Sequence, residues 1–280
     1  MKNLYKIIIP QWHLANGKTL TDVVLSYQFF GPVLGTAPVV LVNHSITSNS
    51  NISGPDGWWK YVIGEDRVID TNYFFTALAF NIPGNEFDND ESIIYNYKDF
   101  TAADVAQIFW QGLEELEIYH LHSIIGVDLG GGIAWEMAAL RPNSVSNLIP
   151  VAADWKPLSY LKNGVRDLDS GFVLPSFRLF NQLLATVDIT KHQSFEAVAK
   201  NITAAIHLIA IDTDLLFTAY ETRNTFEFLR QNGNEVYYSE IRSTHGHDAY
   251  LKEWEQLSEI LAPVFQDGYH TMLRFLQKAG

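Results

Sequence analysis

The chain has 280 residues, no cysteine and a formal net charge of −13 at neutral pH. This acidic balance argues against nucleic acid or a membrane surface as a partner, because both favour basic proteins. The lack of cysteine excludes disulfides, thiolate metal sites and a cysteine nucleophile. It also fits a reducing compartment, and no apolar run reaches the ~18 residues of a membrane span, so we expect a cytoplasmic protein.

Strand-like segments dominate the beginning of the chain. Residues 6–9 and 23–30 have the composition of strands, and Asn16-Gly17 between them is typical of a hairpin turn. Residues 39–42 are continuously apolar, as in a strand that is buried on both faces of a parallel sheet.

A further strand and a helix follow. Residues 73–80 predict the strand, and residues 102–116 predict the helix. Thr101 is the candidate N-cap of this helix, with Asp104 at the third helical position. Strand and helix patterns continue to alternate along the chain, which predicts a mostly parallel, doubly wound α/β sheet.

The segment around Asp128 has the pattern of a nucleophile elbow. A predicted strand at 122–127 leads into Gly126-Val127-Asp128-Leu129-Gly130, and a predicted helix at 133–140 follows. In the G-x-S-x-G elbow a serine lies exposed between strand and helix, on a turn whose glycines allow close backbone approach. Here an aspartate occupies the serine position. The pattern alone also fits an ordinary strand–helix turn, so it does not by itself establish a nucleophile site.

The second half of the chain predicts a helical insertion in the sheet-forming core. Strands are expected at 147–152, 206–211 and 236–241, whereas the chain between the first two has helical patterning and no clear strand. We therefore divide the chain into three parts, namely a first part of the core (1–153), a short helical cap (154–203) and a second part of the core (204–280).

A helix is also predicted after each of the last two strands. Residues 220–231 predict the first of them, and Asn232-Gly233 is a typical helix end. Residues 249–278 predict C-terminal helices that are broken near Pro263.

An acid and a histidine follow the elbow in the chain order of an α/β-hydrolase triad, which is nucleophile, acid, histidine. Asp214 comes just after the strand at 206–211, and His247 just after the strand at 236–241. Both therefore project from the carboxyl ends of strands, where open α/β sheets bind ligands. His245 is an alternative base. The expected triad is Asp128, Asp214 and His247.

Two backbone N–H groups are expected to form an oxyanion hole. One belongs to Leu129, next to the nucleophile position, and the other to Ile46, after the strand at 39–42. His44 is expected to support this loop rather than to bind a metal, because no His, Asp or Glu cluster has ligand spacing. We predict no metal site.

Several segments resemble the homoserine O-acetyltransferase family, an acyltransferase branch of the α/β-hydrolase fold. They lie in both parts of the core, whereas the cap is short and hard to match. The matching segments are Asn43-His44-Ser45-Ile46-Thr47, Gly57-Trp58-Trp59, Val62-Ile63-Gly64, Ile69-Asp70-Thr71-Asn72-Tyr73-Phe74, Asn81-Ile82-Pro83-Gly84, residues 100–107, residues 125–135, Asp214-Leu215-Leu216-Phe217 and Gly246-His247-Asp248-Ala249-Tyr250-Leu251.

The resemblance implies acetyl transfer from acetyl-coenzyme A to the hydroxyl of homoserine through an acyl-serine. It implies His247 as base, Asp214 as its partner, and Asp248 near the amine of an amino-acid acceptor. It also implies a homodimer with contacts through the cap. An acceptor carboxylate favours an arginine, for which Arg166 and Arg178 are the candidates in the cap.

Asp128 changes the chemistry that the resemblance implies. Attack by a carboxylate on a thioester gives a mixed anhydride, which is an unfavourable intermediate. A carboxylate is suited to attack at sp³ carbon, as in haloalkane dehalogenases and epoxide hydrolases, where a histidine-activated water hydrolyses the resulting ester. Those families usually have His-Gly-X-Pro on the oxyanion loop and tryptophan after the aspartate, whereas this chain has His44-Ser45-Ile46-Thr47 and Leu129.

Three functions therefore stay open for a protein that acts on a small molecule. The first is an enzyme with altered, hydrolase-type chemistry. The second is a catalytically silent relative that binds a small ligand or a protein partner. The third is acyl transfer without an acyl-serine, with His247 as general base in a ternary complex. No cofactor is expected, and acetyl-coenzyme A is a co-substrate only in the third case.

Overall fold

The computed structural model describes residues 4–85, 94–156 and 174–266. Within these ranges, ten strands and seven α-helices alternate along most of the chain. The strands are β1 (Tyr5–His13), β2 (Thr19–Phe30), β3 (Val39–Asn43), β4 (Ile63–Gly64), β5 (Ile69–Asp70), β6 (Thr76–Phe80), β7 (Leu121–Val127), β8 (Val145–Val151), β9 (Ala205–Ile211) and β10 (Val236–Ile241). The helices are α1 (Ala102–Glu115), α2 (Leu129–Leu140), α3 (Leu174–Ala185), α4 (Phe195–Asn201), α5 (Ala219–Gln231), α6 (Ala249–Lys252) and α7 (Trp254–Phe265).

Eight strands form one sheet in the order β1-β2-β6-β3-β7-β8-β9-β10, and β4 and β5 form a small separate pair. In this order, the strands from β6 to β10 are parallel to one another, whereas β2 pairs antiparallel with both β1 and β6. The register pairs Asn43 with Gly126 and Val127 with Val151. The carboxyl ends of β3, β7 and β8 therefore meet at one edge of the sheet, which confirms the predicted doubly wound α/β fold.

The central strands are buried on both faces, as their apolar sequences predict. All five residues of β3 and all five of β6 are buried. Leu41 belongs to the core that packs against α1 and α2, whereas Val40 and Val42 belong to the core on the opposite face with α7. Because successive side chains of a strand point to opposite faces, a single apolar run supplies both cores.

The predicted start of α1 is confirmed in detail. The hydroxyl of Thr101 accepts a hydrogen bond from the N–H of Asp104, and the Asp104 carboxylate accepts one from the N–H of Thr101. The same carboxylate accepts from the N–H of Ala15, which follows β1. This capping box therefore also ties the first hairpin to α1.

The structure corrects several predicted boundaries. The first two strands are longer than predicted, and β6 begins at Thr76, three residues after the predicted start. Helix α2 begins at Leu129, four residues before the predicted start, because the first turn after Asp128 is already helical. The C-terminal helices are also interrupted at Glu253, between α6 and α7, whereas Pro263 lies inside α7. Proline removes one backbone hydrogen bond, and here it lies in the last turn, where the helix ends two residues later.

The interval predicted as a cap contains α3 and α4, and its described residues include no strand. Its separation from the core as a domain stays a prediction. Over the described parts of the chain, no helix combines the length and the apolar character needed to cross a membrane.

Candidate active site

Asp128 lies on a sharp turn between β7 and α2. Its backbone has φ 55° and ψ −121°, a conformation that residues with a Cβ rarely adopt. Its carbonyl accepts hydrogen bonds from the N–H groups of Gly131 and Gly132, so that the first turn of α2 holds the strained residue in place. Strain of this kind is maintained mainly at functional sites, where it places one side chain accurately.

Glycines make this turn sterically possible. A Cβ on Gly126 would lie 2.2 Å from the carbonyl oxygen of Gly130. A Cβ on Gly130 would lie 2.2 Å from the carbonyl oxygen of Asn43 at the end of β3. Any larger residue at either position would separate α2 from the strands, so the two glycines of the motif set the close packing beneath Asp128.

His247 and Asp214 meet beside this turn. Asp214 follows β9 and His247 lies in a short 3₁₀ helix after β10. The Nδ1–H of His247 donates a hydrogen bond of 2.7 Å to Oδ2 of Asp214, because a carboxylate can only accept. Oδ1 of Asp214 accepts from the N–H groups of Leu216 and Phe217. The acid is therefore fixed from both sides and orients the imidazole.

The other ring nitrogen of His247 faces Asp128. Nε2 lies 3.9 Å from Oδ2 of Asp128, and both carboxylates are only 3% exposed. The structure thus brings the three residues of the predicted triad together, and their catalytic roles stay a prediction. His245, the alternative base, is exposed.

Ile46 and Leu129 lie on the two segments that flank this tip. Ile46 is buried in the loop after β3, and Leu129 is the first residue of α2. His44 supports the loop, because its Nδ1–H donates to the carbonyl of Ser45 and its Nε2 accepts from the N–H of Ile82. Burial lowers the pKa of His44 to about 4, so the imidazole is neutral and keeps this pair of bonds.

A set of buried polar side chains holds the end of the same loop. The N–H of Ser50 donates to the side chain of Asn81, and its hydroxyl donates to the side chain of Gln28. Asn81 in turn donates to the hydroxyl of Ser26. This buried network connects the loop after β3 to β2 and to the end of β6.

Tyr250 is a residue of the site that the sequence analysis did not single out. Its hydroxyl donates a hydrogen bond of 3.2 Å to Oγ of Ser45, and its ring lies edge-on to that of His247, with centroids 5.7 Å apart. The indole N–H of Trp59 donates to its backbone carbonyl. In the sequence, the only indication that Tyr250 lies near the site is its position three residues after the predicted base, His247.

Two of the predicted acceptor-binding residues are described, and both are exposed. Asp248 is exposed at the end of the 3₁₀ helix that carries His247. Arg178 is exposed on α3, and Arg166 lies outside the described residues. Over the described residues, no group of three or more acidic or histidine side chains could hold a metal ion.

Comparison with known proteins places the chain in a family. The family described as alpha/beta hydrolase fold matches residues 38–260, which include every member of the candidate triad. A homoserine O-acetyltransferase of Cyclobacterium marinum is 24% identical to the chain, over 89% of this chain and 91% of the relative.

Solved structures agree on the fold. A homoserine O-acetyltransferase from Bacillus anthracis superposes with a TM-score of 0.78 at 19% identity, covering 92% of this chain and 97% of that one. An acetylester hydrolase from Corynebacterium glutamicum has a TM-score of 0.78 at 14% identity, covering 94% and 96%. At such identities the structural likeness concerns the fold, whereas the family-model match concerns the sequence of most of the chain.

Proposed function

Because the chain belongs to the α/β-hydrolase fold family and resembles its homoserine O-acetyltransferases, we propose that it is a hydrolase that uses Asp128 as a carboxylate nucleophile. Its substrate would be a small molecule with an electrophilic sp³ carbon and a leaving group. The observation that carries the proposal is the strained placement of Asp128 on the elbow, with its carboxylate 3.9 Å from Nε2 of His247.

In the first step an oxygen of the Asp128 carboxylate forms a bond to the substrate carbon. The bond from that carbon to the leaving group breaks, and the leaving group departs with the electron pair. An ester of Asp128 results. The positive end of α2, which begins at the next residue, favours the carboxylate before attack.

In the second step His247 removes a proton from water, and the hydroxide attacks the carboxyl carbon of the ester. The backbone N–H groups of Ile46 and Leu129 would stabilise the oxyanion of the tetrahedral intermediate. Asp214 holds the imidazole with Nε2 toward the ester and stabilises its positive charge. Collapse of the intermediate expels the alkoxide, which takes the proton from His247 and leaves as the alcohol. Asp128 is left as a carboxylic acid, which loses its proton to solvent to restore the carboxylate.

Single-turnover hydrolysis in ¹⁸O-labelled water tests this proposal. Phenethyl bromide and styrene oxide serve as probes, because their carbon–bromine and carbon–oxygen bonds offer two kinds of leaving group. We expect the label in the side chain of Asp128 after one turnover, because the hydroxide adds to the carboxyl carbon and not to the substrate. Asp128→Asn is the control and should not turn over either probe. Label that enters only the product alcohol would contradict a covalent ester.

A second candidate function is direct acyl transfer with His247 as general base. It is favoured by the oriented His247–Asp214 pair together with the homoserine O-acetyltransferases among the relatives. The charge of Asp128 beside the oxyanion donors opposes it. Wild-type protein given acetyl-coenzyme A and homoserine distinguishes this route. O-Acetylhomoserine formed with sequential kinetics, and no labelled Asp128 in the previous experiment, would favour acyl transfer over the hydrolase.

A further inference from the structure

The phenol of Tyr250 lies between the base and the oxyanion loop. Its ring contacts the ring of His247, and its hydroxyl donates to Oγ of Ser45. Ser45 in turn donates to the hydroxyl of Ser48, so the phenol begins a row of three hydroxyl groups along the loop. Ile46, whose N–H is expected to stabilise the oxyanion, directly follows Ser45.

Packing fixes Tyr250 in this place. Its side chain is only 2% exposed, and its backbone carbonyl accepts from the indole N–H of Trp59. A buried phenol beside a reacting centre has one proton to donate, and its packing keeps the side chain in place. Such a group can donate a hydrogen bond to substrate once the substrate competes with Ser45, because bonds within an empty site often rearrange on binding.

The protonation state of Tyr250 suits a donor. Burial above all raises the pKa of the phenol to about 12, and the nearby charge of Asp128 adds to the effect, although the hydrogen bond to Ser45 opposes it. The phenol therefore carries its proton at neutral pH. An alkoxide is more basic than a phenolate, so transfer of that proton to a departing alkoxide is favourable.

We propose that Tyr250 donates its proton to the leaving oxygen of the substrate, so that the site takes substrates that release an alkoxide, such as epoxides, in preference to halides. This inference rests on the proposed function of Asp128. A halide leaves as a stable anion and needs no proton, whereas an alkoxide does. A donor in this place therefore selects the substrate class by its leaving group.

The protons balance over both steps. An Asp128 oxygen forms the bond to carbon, the epoxide carbon–oxygen bond breaks, and the alkoxide takes the proton of Tyr250 to become a hydroxyl. After His247 has activated water and returned its proton to the second hydroxyl of the diol, one proton remains on the Asp128 carboxyl. Its transfer to the phenolate of Tyr250 restores both groups.

The test measures formation of the Asp128 ester by intact-protein mass in the His247→Gln background, where the ester should persist. Styrene oxide and phenethyl bromide are the probes, and Tyr250→Phe is added in the same background. Phenylalanine keeps the ring that packs on residue 247 and removes only the hydroxyl. We expect the rate with styrene oxide to fall about 100-fold or more, as for loss of a general acid, and the rate with phenethyl bromide to change less than about 3-fold.

Tyr119→Phe is the matched control, since Tyr119 is exposed just before β7, at the opposite edge of the sheet, and should leave both rates unchanged. Equal losses with both probes after Tyr250→Phe would mean a purely structural role, and no loss with styrene oxide would also overturn the inference. Either result leaves the proposed function standing. Absence of an ester with both probes when Tyr250 is intact would instead defeat the proposed function, and this inference with it.

Discussion

Nε2 of His247 and Oδ2 of Asp128 are 3.9 Å apart. This distance is longer than a hydrogen bond, and it is short enough for His247 to act on a group bound to Asp128. An ionised carboxylate needs no base to become a nucleophile. A histidine held against its own carboxylate partner is therefore of use in a later step, when an ester of Asp128 must be hydrolysed. The hydrogen-bonded pair of His247 and Asp214 fits a two-step reaction better than a one-step reaction at Asp128.

The first prediction concerns His247→Gln. Attack by Asp128 does not require the base, whereas hydrolysis of the ester does. We expect this variant to accumulate a covalent adduct on Asp128 with styrene oxide or phenethyl bromide, while product release slows about 100-fold or more. Peptide mass spectrometry after digestion locates the adduct.

His245→Gln is the matched control. His245 is exposed and lies two residues before His247. Among the described contacts, its side chain makes no hydrogen bond to Asp128, whereas His247 faces that carboxylate. It should turn over like wild type. An adduct with His245→Gln and none with His247→Gln would mean that the roles of the two histidines are exchanged.

The second prediction concerns Asp128→Ser. In the proposed site, the elbow, the pair of His247 and Asp214, and the segments of Ile46 and Leu129 would together serve a serine nucleophile. We expect the variant to gain esterase activity with p-nitrophenyl acetate at least about 100-fold above wild type, since His247 then activates the hydroxyl. Assay with acetyl-coenzyme A and homoserine shows whether acyl transfer is gained as well.

Asp128→Ala is the control for the gain, because it removes the carboxylate without adding a nucleophile. Equal activity of the serine and alanine variants would mean that loss of negative charge, and not the new hydroxyl, is responsible. If both variants stay at the level of wild type, the site does not provide the geometry of a serine esterase.

The sequence predicted the parts of the fold that depend on local pattern. The continuous apolar run of β3, the capping box at Thr101 and the hairpin turn at Gly17 were all found where they were expected. Each of these depends on a few neighbouring residues, so a single sequence contains the information. The interruption of the C-terminal helices at Glu253 was not predicted, because no proline or glycine lies at that position.

The site was predictable to the extent that strand ends determine it. Asp128, Asp214 and His247 each follow a strand of one parallel sheet, so the sheet order brings them together. Tyr250 was not singled out because its role depends on a contact between segments about two hundred residues apart, namely its hydrogen bond to Ser45. Its spacing from His247 indicates only that Tyr250 lies near the predicted base, and not that it contacts Ser45.

The third prediction concerns the packing beneath the elbow. A Cβ on Gly130 would lie 2.2 Å from the carbonyl oxygen of Asn43, so Gly130→Ala must push α2 away from β3. We expect it to lower the free energy of unfolding by about 3 kcal/mol or more, as for severe overpacking of a core. Urea denaturation measures the loss.

Gly233→Ala is the matched control, since Gly233 has φ 82° and nothing within 4 Å of an added Cβ. The backbone conformation alone should cost about 1–2 kcal/mol there. A loss for Gly130→Ala no larger than for Gly233→Ala would mean that the elbow can expand at little cost.

The fourth prediction concerns Glu136, which is buried on α2 and accepts a hydrogen bond of 2.8 Å from the N–H of Asp188. Burial raises the pKa of Glu136 from 4.5 to about 7, against smaller lowering effects of that bond and of Lys191. The folded protein therefore binds more protons than the unfolded chain between these two values. Its stability contribution is complete below about pH 4.5 and is lost as the pH rises through 7.

Glu136→Gln removes this titration and keeps an oxygen that can accept from Asp188. We expect the variant to gain stability relative to wild type as the pH rises from 5 to 8, by roughly 3 kcal/mol at most. Thermal or urea unfolding across this pH range measures the difference. The low pKa values of His44 and His122, both about 4 because of burial, act in the opposite direction, since they make the protein less stable as the pH falls from 6.5 toward 4.

Those histidines are common to wild type and variant, so their effect cancels in the difference between the two curves. Glu115→Gln on the exposed face of α1 controls for the loss of one negative charge from an acidic protein. A difference between wild type and Glu136→Gln that is constant from pH 5 to 8 would show that Glu136 is ionised in the folded protein throughout. It would then have to be stabilised by a cation, and Lys191 is the cation whose charge lowers the pKa of Glu136.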